Sequence, residues 1–215
     1  MAKRRRVGNL LALAVLSATA FRPMHPYEIG QALRGWGKDR DMQVKWGSLY
    51  TVVNNLVKHG LLEAAEVARQ GARPERTVYR ITDDGRAELA DWARELVSTP
   101  EPEPRRFKAG LSVLSAIEPD EAISLLQQRV ERLERELTEQ RAELAEYAVD
   151  VPALMLIEDD YELAMLAAEV AWVRSVLDQL TSGDYPGLAD WRAWHATGAT
   201  PDGLAELAER SLATD

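Results

Sequence analysis

The chain has 215 residues and no cysteine, with 26 Lys+Arg against 35 Asp+Glu and a formal net charge of −9. That length allows one or two domains with their own cores, and a content of 46% hydrophobic and 28% charged residues is that of an ordinary globular protein, neither disordered nor collagen-like. Without cysteine there is no disulfide scaffold, thiol catalysis or cysteine zinc site, and the overall acidity speaks against phosphate binding, which rests on Lys and Arg.

At the amino terminus, Lys3-Arg4-Arg5-Arg6 precedes an apolar run from Leu10 to Leu16 and then Ala18-Thr19-Ala20. This imitates the basic, apolar and small-residue regions of an export signal. The rival reading is a basic arm entering a buried helix, with Asn9 interrupting the apolar run and no downstream cysteine to suggest an oxidising destination. A helical pattern runs over 7–20, and Pro23 breaks it. A second helix is expected from Pro26 to about Trp36, with the proline in the tolerated first turn. A third is expected from about Gly47 to His59, burying Leu49, Val52, Val53, Leu56 and Val57 at spacings of three and four and stopping at Gly60.

Leu61 to Arg69, the turn material Gly71-Ala72-Arg73-Pro74, and Thr77 to Ile81 read as a β-hairpin with a basic tip. Thr82-Asp83-Asp84 then caps a helix running through Leu89 and Trp92 to Val97. Thr99-Pro100-Glu101-Pro102-Glu103-Pro104 can neither continue a helix nor join a central strand, so it marks a domain boundary. The expected divisions are a reading domain at 1–97, a linker at 98–106, a helical domain at 107–182 and a tryptophan-bearing tail at 183–215.

From Pro119, Ile123, Leu126, Val130, Leu133, Leu137, Gln140, Leu144 and Tyr147 form a heptad seam with one polar position. After Pro152, the residues Leu163, Leu166, Val170, Val173, Leu177 and Leu180 repeat the alternation, so the two helices can pair as an antiparallel hairpin. Two helices bury little by themselves, so dimerisation is expected to complete this core, through Leu126, Val130, Leu133, Leu137, Leu144, Leu166, Val170, Val173 and Leu177. In the tail, Trp191 and Trp194 are expected to pack against the helices, and Leu204 to Leu212 is a short amphipathic stretch. No segment reaches the roughly 18 apolar residues of a membrane span, since Glu158, Asp159, Asp160, Glu162, Glu169 and Arg174 break the run from Leu154 to Leu180.

Charge is divided along the chain. Residues 1–82 hold 14 Lys+Arg and 6 Asp+Glu, a net of +8, whereas 83–215 hold 12 and 29, a net of −17. A basic head on an acidic body is the electrostatic footprint of a nucleic-acid binder. A helix entering the major groove needs one face docked on its own domain and another of short donors and acceptors, with cations at the rim. Ser48, Tyr50, Thr51 and Asn54 are candidates for base edges or adjacent phosphates, Lys45, Lys58, Arg69, Arg73 and Arg76 for phosphates, and Tyr27 for a phosphate or a core role. The alternative is a merely solvated face.

Leu10-Leu11-Ala12-Leu13, Pro23-Met24-His25-Pro26-Tyr27-Glu28-Ile29, Gly47-Ser48-Leu49-Tyr50, Gly60-Leu61-Leu62, and Arg73-Pro74 with Tyr79-Arg80-Ile81-Thr82-Asp83-Asp84-Gly85-Arg86 together resemble the PadR family of winged helix-turn-helix transcriptional regulators. The resemblance covers about residues 7–97 specifically and the helical part only in type. Pro26 stands where the family commonly has Gly, and Thr51 where it commonly has Pro, so Thr51 presents a hydroxyl where proline has none. What the resemblance implies is a mainly α fold with a small β-hairpin wing, an N-terminal winged helix-turn-helix domain and a C-terminal coiled-coil-like dimerisation domain. It implies a cytoplasmic homodimeric repressor on an inverted-repeat operator of double-stranded DNA, with a first helix inside the fold rather than an export signal. Family members that respond to small molecules often bind planar aromatic compounds. Trp92 is therefore a candidate effector contact, against the plainer reading of a packing residue.

No catalytic constellation emerges, and no cofactor or metal is expected. His25, His59 and His195 are dispersed, Ser48 lacks His–Asp support, and there is no phosphate loop or H-E-x-x-H motif. The rival function is a helical interaction module whose winged domain binds protein.

Overall fold

The computed structural model describes residues 9–38, 42, 46–68, 76–100 and 106–199. The basic arm at 3–6, Lys45, Arg69, Arg73 and the stretch 204–212 lie outside the described residues. The chain forms two compact units, Met1–Glu103 and Pro104–Asp215.

The first unit is built around helix α1 (Leu10–Phe21), whose first turn is capped by Asn9 Oδ1 accepting from Ala12 N–H at 2.8 Å. Leu11, Ala12, Ala14, Val15, Leu16, Ala18 and Thr19 are all buried, so the helix is enclosed on most of its circumference. Thr19 survives there because its hydroxyl donates to the Val15 carbonyl at 2.8 Å. Helix α2 (Pro26–Gly35), helix α3 (Leu49–Lys58) and helix α4 (Asp83–Ser98) pack on α1. A single 3-10 turn, Trp46–Ser48, leads into α3, so the expected start at Gly47 is tighter than an α-helix.

Strands β1 (Leu62–Ala68) and β2 (Arg76–Ile81) are antiparallel, with Leu62 opposite Ile81 and Ala65 opposite Val78, and an irregularity between Ala65 and Ala68. Met24 extends the pairing, its N–H donating to Tyr79 O at 3.0 Å and its carbonyl accepting from Tyr79 N–H at 2.9 Å. The segment between α1 and α2 is thereby tied to the wing. No local pattern in the sequence signals this link.

The second unit begins with a short helix, α5 (Arg106–Ser112), and a 3-10 turn at Leu114–Ala116, neither of which the sequence reading contains. Helix α6 (Pro119–Tyr147) and helix α7 (Ile157–Ser182) pair antiparallel, because Leu126 and Val130 share a cluster with Val173, Leu177 and Leu180, while Leu133 and Leu137 share one with Val170, Leu163 and Leu166. Ion pairs Arg129–Glu169 and Arg174–Glu134 bridge the same two helices. Gly183, at φ 87°, ends α7 in the left-handed region that favours glycine. Helix α8 (Leu188–Thr197) closes the end of the pair, with Leu188 buried, Trp191 Nε1–H donating to Ile117 O at 3.1 Å, and Arg192 reaching Asp120.

The role expected of the heptad seam changes in detail. The seam residues Leu126, Val130, Leu133, Leu137, Val170, Val173 and Leu177 are buried against each other within one chain. The intrachain partner fills the heptad seam within this chain. Leu144 and Leu166 are half-buried.

Leu180 is 1% exposed at the crowded end of this core. Leu180→Ala is expected to lower the stability of the helical unit by about 2–5 kcal/mol through lost transfer energy and a residual cavity. Urea denaturation followed by circular dichroism checks this, and an unshifted transition would contradict the packing described.

Candidate nucleic-acid interface

Helix α3 has two chemically distinct faces. Leu49, Val52, Val53 and Leu56 are buried in the core of the first unit, Leu56 completely. Tyr50, Thr51, Asn54, Asn55 and Lys58 are exposed, and at 100° per residue they cover one continuous arc of the helix surface. Tyr50 has 57% of its surface open. Ser48 is half-buried at the preceding turn.

Helix α2 crosses closely behind. A Cβ on Gly30 would stand 3.2 Å from Leu49 Cδ2, so the absence of a side chain lets the two helices approach. A glycine inside a helical pattern is the sequence sign of such a crossing, and sequence reasoning missed Gly30. Arg34, near the end of α2, stacks its guanidinium 4.7 Å from the centre of the Trp46 ring, which fastens the 3-10 turn that feeds α3.

The start of α2 is held by an unusual cap. His25 Nδ1 accepts from Tyr27 N–H at 3.1 Å, and Glu28 Oε2 accepts from His25 N–H at 2.8 Å, a reciprocal box with Pro26 in the first turn. Tyr27 is consequently presented outward and exposed, with its hydroxyl accepting from Gln31 Nε2–H at 3.2 Å. Gln31, one turn on from Tyr27, is an exposed polar neighbour that sequence reasoning missed and the i, i+4 spacing could have supplied.

Of the other expected contacts, Arg76 opens β2, while Lys45, Arg69 and Arg73 lie outside the described residues. Arg80 pairs across the hairpin with Glu63 at 2.7 Å. Trp92 is 5% exposed and belongs to the core cluster of the first unit. A ligand could stack on its indole only if that core opened. In the helical unit, by contrast, an open groove of about 780 Å³ is lined by Phe107, Leu111, Arg129, Glu169 and a half-exposed Trp172. Among the described residues no group of three or more His, Asp or Glu is placed to hold a metal ion, and no helix is long and apolar enough to cross a membrane.

Three helices, the last with a buried apolar face and an open polar one, followed by a two-stranded hairpin and a closing helix, make the first unit a winged helix-turn-helix domain. Residues 13–91 match the model of the transcriptional regulator PadR-like family, so this unit carries a PadR-like domain. Among solved structures, that of Bacillus subtilis PadR in complex with operator DNA is similar at 19% identity and a TM-score of 0.67, covering 80% of this chain and 99% of that one. The same protein in complex with p-coumaric acid matches at 18% identity and a TM-score of 0.67, over 80% and 99% of the two chains. The virulence activator AphA of Vibrio cholerae matches at 21% identity and 0.58, over 80% and 98%. At these identities the likeness is one of fold. A search of curated proteins finds no match.

His25→Ala, which removes the acceptor that caps α2, is expected to cost about 1 kcal/mol of unfolding free energy. Chemical denaturation measures it, and a variant as stable as the parent would show that the cap carries no weight.

Proposed function

We propose that this chain is a sequence-specific DNA-binding regulator of transcription, acting as a homodimeric repressor released by a small-molecule effector. The observation that carries the reading is the two-faced helix α3, docked through Leu49, Val52, Val53 and Leu56 and open through Tyr50, Thr51, Asn54 and Lys58. Short polar side chains on an anchored helix are what base edges in the major groove require. Ser48, Tyr50, Thr51 and Asn54 take the base edges and adjacent phosphates. Lys45, Lys58, Arg69, Arg73, Arg76 and Tyr27 hold the backbone.

The net of +8 on residues 1–82 supports that assignment, as does the fold shared with a protein solved on its operator. Homodimerisation is supported by apolar side chains that the single chain leaves open around the turn between α6 and α7, Leu154, Met155, Ile157 and Tyr161 among them. Two reading heads related by a two-fold axis call for an inverted repeat with half-sites about 34–36 Å apart. A planar aromatic effector is consistent with the p-coumaric acid complex of the B. subtilis protein and with the groove beside Trp172.

Two variants divide the interface. Asn54→Ala is expected to reduce discrimination between operator and random duplex by about 1–3 kcal/mol, while Lys58→Ala weakens both and lowers the salt slope by about one. Fluorescence anisotropy across a salt series reads both quantities. If each variant bound operator like the parent, α3 would not be the reading helix.

A further inference from the structure

We propose that Thr82, at the junction of β2 and α4, is a positioning residue that sets the angle of α3 for DNA reading. The proposal rests on the reading of α3 as the base-contacting helix.

Helix α3 ends in a Schellman motif. Gly60, at φ 73°, donates its N–H to Val57 O at 3.0 Å, and Leu61 N–H donates to Leu56 O at 2.9 Å. The chain leaves that motif with the carbonyls of Gly60 and Leu61 pointing away from the helix, and Thr82 takes both. Its N–H donates to Leu61 O at 3.1 Å, and its hydroxyl donates to Gly60 O at 2.7 Å. The same oxygen accepts from Gly85 N–H at 3.0 Å as the N-cap of α4. A hydroxyl has one hydrogen to give, and here both its donor and acceptor capacities join two helices.

Gly85 supplies the space. A Cβ there would lie 2.1 Å from Leu61 O and 2.8 Å from Ile81 Cγ1, so the first turn of α4 stands directly against the end of α3. In the same turn of α4, Arg86 reaches the Ala20 carbonyl at 3.4 Å, and Trp92, further along, is buried in the core of the unit. Helix α4 is thus tied to the core around α1 through its first turn and Trp92, and Thr82 fixes α3 to α4.

Leverage makes this matter. Helix α3 has 10 residues and is about 15 Å long, so a tilt of about 10° about its C-terminal end moves Tyr50 and Thr51, about 10–12 Å from that end, by roughly 2 Å. Base-edge hydrogen bonds tolerate a few tenths of an ångström, whereas phosphate contacts from flexible cations follow the change. Loss of the joint is therefore expected to spare non-specific affinity and remove discrimination.

Three variants test this, on a duplex enriched from a random pool by the parent protein and on an unrelated duplex. All are measured at a temperature where circular dichroism shows each protein folded. Thr82→Val removes the hydroxyl with little change of shape. Thr82→Asp keeps an acceptor for Gly85 N–H and so keeps the cap of α4, but has no proton for Gly60 O. Thr82→Ser retains both roles. The specific-to-unrelated affinity ratio is expected to fall tenfold or more in Thr82→Val and Thr82→Asp, and to stay within about threefold in Thr82→Ser. Should Thr82→Val fail to fold, the capped Thr82→Asp variant decides. An unchanged ratio, or an equal loss on both duplexes, overturns the positioning role while leaving DNA reading by α3 intact. A parent protein that prefers no duplex ends both.

Discussion

A helix that is apolar on nearly every side has to be surrounded, and the first unit is the arrangement that surrounds α1. Leu11, Val15 and Leu16 are almost inaccessible to water, and Ala12, Ala14 and Ala18 let neighbouring elements approach the helix backbone closely. Burying apolar area is the main favourable term in folding, and here α2, α3, β2 and α4 all pack against this one element. Helix α3 is held in place because four of its residues, Leu49, Val52, Val53 and Leu56, belong to the same cluster as α1. Its outward face is then free to be polar at no cost to stability.

That division of labour carries through to the chemistry proposed for the chain. An anchored helix loses little further freedom on binding, so its short side chains can discriminate among bases rather than be ordered by them. In the proposed function Lys58, exposed at the end of α3, contributes sequence-independent attraction, and the acidic remainder of the chain is repelled from phosphates. Net charge over the full chain hides this, because −9 is the balance of a basic third and an acidic two-thirds.

Much of the fold is legible in the sequence because its determinants are local. Leu49, Val52, Val53 and Leu56 announce α3 by spacing alone, and Gly60 announces its end. The apolar stretch that imitates an export signal packs in the first unit, where Leu11, Ala12, Ala14, Val15, Leu16 and Ala18 are buried. What escapes a sequence reading depends on partners distant along the chain. Helix α5 follows a proline-rich stretch and has no buried stripe of its own, although Phe107 packs against the cluster formed by α6, α7 and α8. Within the chain α7 packs against the heptad seam of α6, the antiparallel pairing that the repeated alternation predicts. The candidate interface is legible as a set of exposed polar positions on α3. The devices that hold it, the His25 cap, the Gly30 crossing and the Thr82 joint, are hidden because each needs a contact defined only in three dimensions.

In the proposed function, α3 reads sequence from two heads related by symmetry. Selection of bound duplexes from a random pool by the intact protein, followed by sequencing, addresses it directly and requires no chosen target. Enrichment of an inverted repeat whose half-sites lie about one helical turn apart is the expected result. Recovery of unpaired single sites, or of a pool no different from the input, would contradict it.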